Sequence, residues 1–253
     1  VPPSSNEFQV YAESLGELPV QDQLKLINKI GTRIEPSSLP SLIDFAFLCL
    51  HGSDGEDGRI QGILEYYRIP YSGSGILSSC IGMNKALQKE LMVNAGFHVP
   101  AFQTIRREDW MQPEKQQQIF QQVTASATFP CVVKSANQGS SIGVSVVVSP
   151  DFETFRNAVN KSFFCRLITL QEWNDLSFPA KVEWVRTLTD IREGIGIPVK
   201  ISSKIIFHPE ELLSNLNQLF SELEPQVQIE SVEGESEVLI EAFIQGKEFS
   251  CIV

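Results

Sequence analysis

Apolar and polar residues alternate along the chain in blocks that predict strands and helices in turn. The first block with the character of a buried strand is IDFAFLCL, from Ile43 to Leu50. A glycine-rich polar stretch follows, and the next segment places four apolar residues on one helical face: Ile60, Ile63, Leu64 and Tyr67. Pro70 is typical of a helix end. This part of the chain is therefore predicted to form a strand, a polar loop and a helix.

A second helix is predicted to begin at about Asn84. Leu87, Leu91 and Ala95 recur at every fourth position of this segment, which is the spacing of one helical face. Gly96 suits the left-handed conformation that commonly ends a helix.

The remaining pattern continues the alternation of strands and helices. Two β-branched segments, CVVK and GVSVVV, predict a hairpin, and the helix after it is predicted with Ser149 as its N-cap and Pro150 in its first position. SKIIF predicts a strand, and HPEELLSNLNQLFSEL predicts an amphipathic helix. EVLIEAFIQGKEFSCIV predicts two strands joined by a turn at Gly246. Such alternation is typical of an α/β fold.

The composition excludes some classes of protein. The 253 residues are 42% hydrophobic and 20% charged, and the formal net charge is -11. An acidic chain does not supply the clustered Lys and Arg that nucleic-acid phosphates require, so we expect no nucleic-acid partner. The apolar runs are too short to cross a bilayer, so we expect no membrane partner and a soluble protein of the cell interior.

The cysteines predict neither a zinc site nor a disulfide framework. The five are far apart and form no CxxC motif or Cys/His cluster: Cys49, Cys80, Cys131, Cys165 and Cys251. Several lie in apolar runs such as FAFLCL and FPCVV, so we expect reduced thiols in the core.

The loop of the predicted hairpin, in KSANQGSSIG, carries the clearest candidate chemistry. Backbone N–H groups of residues 139–142 are able to line a concavity for anionic oxygens, and glycine lets the main chain approach them closely. Lys134, at the end of CVVK, places a positive charge at its mouth. A helix-linked P-loop is excluded, because G-x-x-x-x-G-K-[ST] does not occur. The alternative is a long hairpin turn, since glycine and serine are ordinary turn residues.

The polar stretch HGSDGEDG lies between the first predicted strand and a helix, where ligands of open α/β sheets bind. His51 is expected there to orient a substrate or a neighbouring acid. Glu56 and Asp57 are equally consistent with capping the helix. Lys85 opens the second helix, where the helix dipole disfavours a cation unless an anion offsets it. Lys85 is therefore a candidate for binding an anion, and the alternative is a lysine that is simply solvated.

Five motifs occur in the order HGSDGEDGRIQG, IPYSGSG, MNKALQKELMVNAGFHVP, VVKSANQGSSIGVS and VLIEAFIQGKEF. In this combination the chain resembles the D-alanine:D-alanine ligases of the ATP-grasp superfamily. The resemblance implies an α/β ATP-grasp fold, with a partial Rossmann-like N-terminal domain over residues 1–80 and an α+β ATP-binding lobe over residues 81–240. An unusual insertion is expected at about residues 165–237. Residues 241–253 are expected to begin the C-terminal lobe. The chain is expected to be truncated at both ends.

The resemblance also implies an enzyme that activates D-alanine with ATP as an acyl phosphate and joins it to a second D-alanine for peptidoglycan synthesis. ATP and Mg²⁺ are the implied cofactors, and the metal ligands are expected in a later domain, so no residue is assigned to metal. A cytoplasmic homodimer acting on small molecules is expected. Two alternatives stay open: a ligase for another pair of amino or hydroxy acids, and a nucleotide-binding paralogue without catalysis.

Individual residues acquire roles by the same resemblance. The implied catalytic residues are His51, facing the first D-alanine, and Ser140, closing the loop over phosphate and substrate. The implied nucleotide-binding residues are Lys85, Lys134, Ser140 and Ser141 at the phosphates and Glu241, Phe243, Ile244 and Glu248 at the adenosine. Ser135 departs from the family pattern, in which proline usually follows the loop lysine.

Overall fold

The structure is a computed structural model that describes residues 20–126, 128–139, 141–247 and 249. Its α-helices are α1 Val20–Ile30, α2 Arg59–Tyr66, α3 Ile76–Met83, α4 Lys85–Asn94, α5 Arg107–Trp110, α6 Pro113–Ser126, α7 Phe152–Ser162, α8 Leu170–Asp175, α9 Phe178–Thr189 and α10 Pro209–Ser221. Its strands are β1 Phe102–Arg106, β2 Cys131–Ser135, β3 Ser145–Val147, β4 Cys165–Thr169, β5 Val199–Ile201, β6 Lys204–Ile206, β7 Gln226–Ser231 and β8 Glu237–Ala242. The predicted α/β class is confirmed.

The first sheet has the strand order β1-β8-β2-β3, and its neighbouring strands are all antiparallel. Strand β8 occupies an inner position because its middle residues, 238–240, are apolar and fully buried. Successive side chains of a strand point to opposite faces. Val133, Val238 and Ile240 therefore join a core with Trp110 and Phe155 of the covering helices, while the residues between them face the other way.

The second sheet has the strand order β4-β7-β5-β6 and a hydrophobic core of its own. We call residues 164–231 the second-sheet module. Its two ends are adjacent, because the N–H of Ser231 donates to the carbonyl of Phe164 at 2.8 Å. Arg107 holds both ends, since its guanidinium donates to the carbonyl of Phe163 at 2.7 Å and to Glu230 at 2.7 Å. The chain thus enters and leaves the module at neighbouring positions, next to the first sheet.

The prediction of a strand at Ile43–Leu50 is wrong. Among the described residues this segment forms only an isolated parallel bridge between Ala46 and Tyr71. A strand needs a neighbour for its backbone groups, and the described part of the chain offers it no sheet. Phe47 accordingly remains 76% exposed and Leu50 51% exposed.

The other local predictions are largely confirmed. The helix at Ile60–Tyr67 is α2, and α4 begins after Asn84, whose side chain accepts a hydrogen bond from the N–H of Leu87 at 2.9 Å. Gly96 has the expected positive φ, 82°. The predicted hairpin is the antiparallel pair β2 and β3.

The predicted start of the helix after the hairpin is wrong by two residues. Asp151, not Ser149, is the N-cap of α7, and Phe152 rather than Pro150 opens the helix. The Asp151 carboxylate accepts hydrogen bonds from both the N–H and the hydroxyl of Thr154, at 2.7 and 2.6 Å. The Asp151 side chain thus pairs one of the N–H groups that the first turn of the helix leaves unsatisfied.

The cysteines divide into two groups. Cys131 and Cys165 are buried free thiols, and burial raises the pKa of Cys131 to about 11 and that of Cys165 to about 12. Cys49 and Cys80 are exposed, so the expectation of core thiols is wrong for them. Cys49 belongs to the segment that lacks a covering sheet among the described residues. Cys251 lies outside the described residues.

Candidate functional site

Residues 136–144, which we call the glycine-rich loop, connect β2 to β3. The described loop residues form bonds from the N–H of Ile142 to the carbonyl of Gly139 at 3.1 Å and from the N–H of Val144 to the carbonyl of Ser141 at 3.4 Å. Ser141 has a φ of 60° and Gly143 a φ of 69°. The predicted residue Ser140 lies outside the described residues.

Lys85 connects the beginning of α4 to this loop. Its backbone N–H donates to the carbonyl of Ala136 at 2.9 Å, and its ammonium group donates to the carbonyls of Ser135 and Ala136, both at 3.4 Å, and of Gln138. These carbonyl dipoles supply the negative potential that a cation at a helix N-terminus lacks. Burial and the nearby charge of Lys134 lower the pKa of Lys85. Lys85 is therefore not a freely solvated lysine.

Lys134 and Lys89 hold the carboxylate of Glu241 between them. The ammonium group of Lys134 donates to Oε1 of Glu241, and that of Lys89 lies 2.8 Å from Oε2. Burial acts to raise the pKa of Glu241, but the hydrogen bonds and charges of the two lysines outweigh it and hold that pKa below its usual value. Sequence reasoning missed Lys89. Its signal was the i, i+4 spacing from Lys85 on α4, which places both lysines on one helical face.

Glu235 is a second buried carboxylate that sequence reasoning missed. Its side chain is buried, the residue being 4% exposed, and it accepts bonds from the N–H of Asn137 at 3.1 Å and from the amide of Asn137 at 2.9 Å. Burial raises the pKa of Glu235, although the bonds from Asn137 and the charge of Lys85 oppose this. No local motif marks it, because its partner is nearly a hundred positions earlier in the chain.

The end of β8 presents an apolar surface next to Glu241. Phe243 is 40% exposed and Ile244 is 70% exposed. The N–H of Phe243 donates to the carbonyl of Pro130 at 3.2 Å, which fixes the direction in which the chain leaves the sheet. The predicted residue Glu248 and most of the strand predicted after Gly246 lie outside the described residues.

His51 lies in the polar stretch before α2, and its side chain is 92% exposed. Its Nδ1 is 3.9 Å from Oε1 of Glu56, whose other oxygen accepts from the N–H of Gly52 at 2.6 Å. Gly58 is the N-cap of α2, and Asp57 before it accepts from the N–H of Arg59, the first residue of α2, at 3.1 Å. Glu56 instead stabilises the turn that follows His51.

A polar cavity of about 670 Å³ separates this stretch from the glycine-rich loop. Asp54 and Asp57 line one side of it, and Asn137 and Gln138 line the other. His51 is not among the lining residues. The fold thus brings the predicted loop and the beginning of α4 together around one cavity, with His51 outside its wall.

The arrangement is suited to binding anions. Lys85 of α4 and Lys134 of β2 lie beside one glycine-rich loop, and Lys134 is on the face of the first sheet opposite the core that contains Trp110 and Phe155. Among the described residues no group of three or more His, Cys, Asp or Glu side chains is placed to hold a metal ion, and no helix is long and apolar enough to span a membrane. These features define an α/β protein in which two lysines lie beside a glycine-rich loop, and this is the candidate site.

The family of the chain follows from two sequence comparisons. A model described as D-ala D-ala ligase N-terminus matches residues 5–74, and one described as D-ala D-ala ligase C-terminus matches residues 91–166. The two ranges together exceed half of the 253 residues. The chain belongs to the D-Ala-D-Ala ligase family, which confirms the resemblance, and the family brings with it the ATP-grasp fold.

Individual relatives agree with this assignment. The D-alanine--D-alanine ligase of Geobacter sulfurreducens is 43% identical over 109 residues, which are 43% of this chain and 32% of that protein. The D-alanine--D-alanine ligase of Bacillus cytotoxicus is 35% identical over 147 residues, or 56% of this chain and 40% of that protein. The chain thus matches less than half the length of these relatives.

Among solved structures, the VanG D-Ala:D-Ser ligase from Enterococcus faecalis aligns over 81% of this chain and 37% of its own. The TM-score is 0.47 and the sequence identity 22%.

Proposed function

We propose that the protein is an ATP-dependent ligase that activates one D-alanine as an acyl phosphate and joins it to a second, giving the dipeptide for peptidoglycan synthesis. The observation that carries the proposal is the convergence of Lys85 and Lys134 beside one glycine-rich loop in a chain of this family. Phosphoryl transfer to a carboxylate develops charge on the transferred group, and fixed cations lower its barrier by stabilising that charge.

The phosphate side of the site consists of Lys85, Lys134, Ser140 and Ser141. Lys85 already has its ammonium group held at the loop by the carbonyl of Gln138, so a phosphate bound under the loop meets a cation in place. Lys134 is paired with Glu241 and exchanges this partner for phosphate oxygen when ATP binds. Each charge-assisted bond of this kind contributes about 1.5–3 kcal/mol.

The adenosine side consists of Glu241, Phe243, Ile244 and Glu248. The half-exposed ring of Phe243 and the exposed Ile244 supply an apolar surface for a base, and a glutamate accepts bonds from the two hydroxyls of a ribose. His51 faces the first D-alanine in this proposal. Because the His51 side chain is 92% exposed, the surrounding stretch has to close towards the 670 Å³ cavity for it to act.

Mg²⁺ accompanies ATP in the proposed reaction. The described residues do not fit a magnesium site, because oxygen ligands in a cluster are required and none is formed by them. No catalytic step of this chain is therefore assigned to the metal.

The test is a phosphate-release assay on the purified full-length protein. Phosphate should leave ATP only when D-alanine is present, and the dipeptide should appear in equal amount. Release with another amino or hydroxy acid but not with D-alanine would remove the specific substrate assignment. ATP binding without release for any acid would support the non-catalytic paralogue instead.

Two further proposals concern the location of the protein in the cell and its oligomeric state. We place the protein in the cytoplasm, where ATP and D-alanine are available, and we expect a homodimer. Light scattering of the purified protein at several concentrations would measure the mass directly, and the mass of a monomer throughout would exclude the dimer.

A further inference from the structure

The C-terminal end of the glycine-rich loop is packed against the second-sheet module. Ile142 is partly buried and joins the core of that module, which includes Phe164. The neighbouring Gly143 has a φ of 69°, and a Cβ there would lie 2.5 Å from Oγ of Ser135 and 3.2 Å from the ring of Phe164. The backbone at this point therefore fits between the two sheets with no space for a side chain.

Two buried hydroxyl groups fix the same end of the loop. Ser135 donates from Oγ to the carbonyl of Ser162 at 2.7 Å, and Ser162 donates from Oγ to the carbonyl of Gly143 at 2.6 Å. Both serines are almost completely buried. Ser135 stands where proline is usual, and its hydroxyl is what makes this chain of bonds possible.

The N-terminal end of the loop is held by Glu235, which lies four residues after the end of the module. Glu235 accepts two bonds from Asn137, one from its backbone N–H and one from its side-chain amide. Gln138, which follows Asn137 in the loop, has the carbonyl that accepts a hydrogen bond from the ammonium group of Lys85. The module's return to the first sheet thus ends beside the loop residue that positions the Lys85 ammonium group.

A cavity lies between Gln138 and the second-sheet module. It has a volume of about 380 Å³ and is lined by Gln138 on the side of the loop and by module residues such as Ile191 and Pro198 on the other. Among the described loop residues, Ile142 and Gly143 therefore lie against the module, whereas a cavity separates Gln138 from it.

We propose that Ile142 and Glu235 are positioning residues: the second-sheet module, through Ile142, and the segment that follows it, through Glu235, hold the glycine-rich loop in the conformation that binds phosphate. The proposal rests on the function proposed above. A loop already ordered at its ends loses less conformational entropy when a ligand orders the remainder, and so binds that ligand more tightly. Neither residue contacts the reacting groups in this account.

The first measurement is hydrogen exchange of the backbone amides of residues 136–144 in the protein without nucleotide. We expect Ile142→Ala and Glu235→Gln each to raise these exchange rates by about tenfold, because each removes one attachment that opposes local opening. Glutamine replaces one of the two carboxylate oxygens by an NH₂ donor, so the Asn137 group that faced that oxygen meets another donor and loses its bond. Ile142→Leu, which keeps the apolar volume, should restore slow exchange.

The matched controls are Ile205→Ala and Glu224→Gln. Both residues are exposed positions of the second-sheet module away from the loop. Neither control should alter exchange in residues 136–144. If Ile142→Ala and Glu235→Gln leave loop exchange at the wild-type rate, the module does not hold the loop and the inference is wrong.

The second measurement separates positioning from general stability. With the full-length enzyme, Ile142→Ala and Glu235→Gln should raise KM for ATP by about tenfold with a smaller change in kcat, while Tm stays near that of the matched control. A lower Tm with an unchanged KM would show a merely structural role and would overturn the proposal. Failure of the wild type to bind ATP would refute the proposed function, whereas the exchange experiment would still decide whether the module holds the loop.

Discussion

Lys134 of β2 and Glu241 of β8 form an ion pair across neighbouring strands, with side chains only 20% and 13% exposed. The register places Lys134 opposite Leu239 and Glu241 opposite Val132, so the two side chains meet diagonally on one face of the sheet. Lys89 reaches the second oxygen of the same carboxylate from α4. One glutamate thus links the strand that leads into the glycine-rich loop to the helix that begins at Lys85.

We predict that Lys134→Ala weakens ATP binding by more than tenfold, because a charge-assisted bond of about 1.5–3 kcal/mol is lost. Isothermal titration calorimetry measures the affinity. Lys200→Ala, an exposed lysine of β5, is the matched control and should bind as the wild type does. Unchanged affinity in Lys134→Ala would mean that the loop is only a hairpin turn.

Lys89→Met should destabilise the protein by about 1–2 kcal/mol, since one oxygen of a largely buried carboxylate loses its charged partner while Lys134 remains. Urea denaturation measures the change. ATP affinity should also fall, because Lys134 becomes the sole cation on Glu241 and is harder to release to phosphate. Equal stability and affinity in the variant and the wild type would show that Lys89 contributes nothing at this site.

The pKa of Glu241 predicts a specific dependence of stability on pH. The folded protein holds this pKa below the ordinary value of 4.5, so the ionised carboxylate stabilises the fold above that value. The contribution is lost as pH falls through the lower folded pKa. The difference in unfolding free energy between wild type and Glu241→Gln should therefore be constant near neutral pH and shrink below pH 4.5. A difference that grows on acidification contradicts this sign.

Gly143→Ala should destabilise the protein by about 2 kcal/mol or more, because a positive φ and a Cβ clash act together. The added atom would lie 2.5 Å from Oγ of Ser135 and 3.4 Å from the backbone of Ser162. Gly82→Ala is the control: this helical glycine has nothing within 4 Å of its Cβ position, so alanine there should stabilise α3 slightly. Thermal denaturation of both variants gives the comparison, and equal effects would refute the packing described at Gly143.

Local elements could be predicted wherever their causes are local. Asn84 caps α4 through the N–H three residues later, and the β-branched residues of CVVK and GVSVVV pair across the glycine-rich loop. The error at Ser149 has the same scale, since two polar residues that stand two positions apart compete for one cap and only the geometry at Asp151 decides. The strand prediction at Ile43–Leu50 failed for the opposite reason. A strand depends on neighbouring strands, and the pattern of the segment itself does not specify them.

By itself, the sequence determined the class of the fold, the glycine-rich loop, the lysines at its base and, through the order of its motifs, the family. These depend on short-range periodicity and on residue types that stand close together. Only the tertiary structure decided that Lys89 and Lys134 share Glu241, that Glu235 holds Asn137, and that the second-sheet module packs on Ile142. Each of these contacts joins residues far apart in the chain, and it forms because a charge, an amide or an apolar side chain that is removed from water needs a partner elsewhere in the fold.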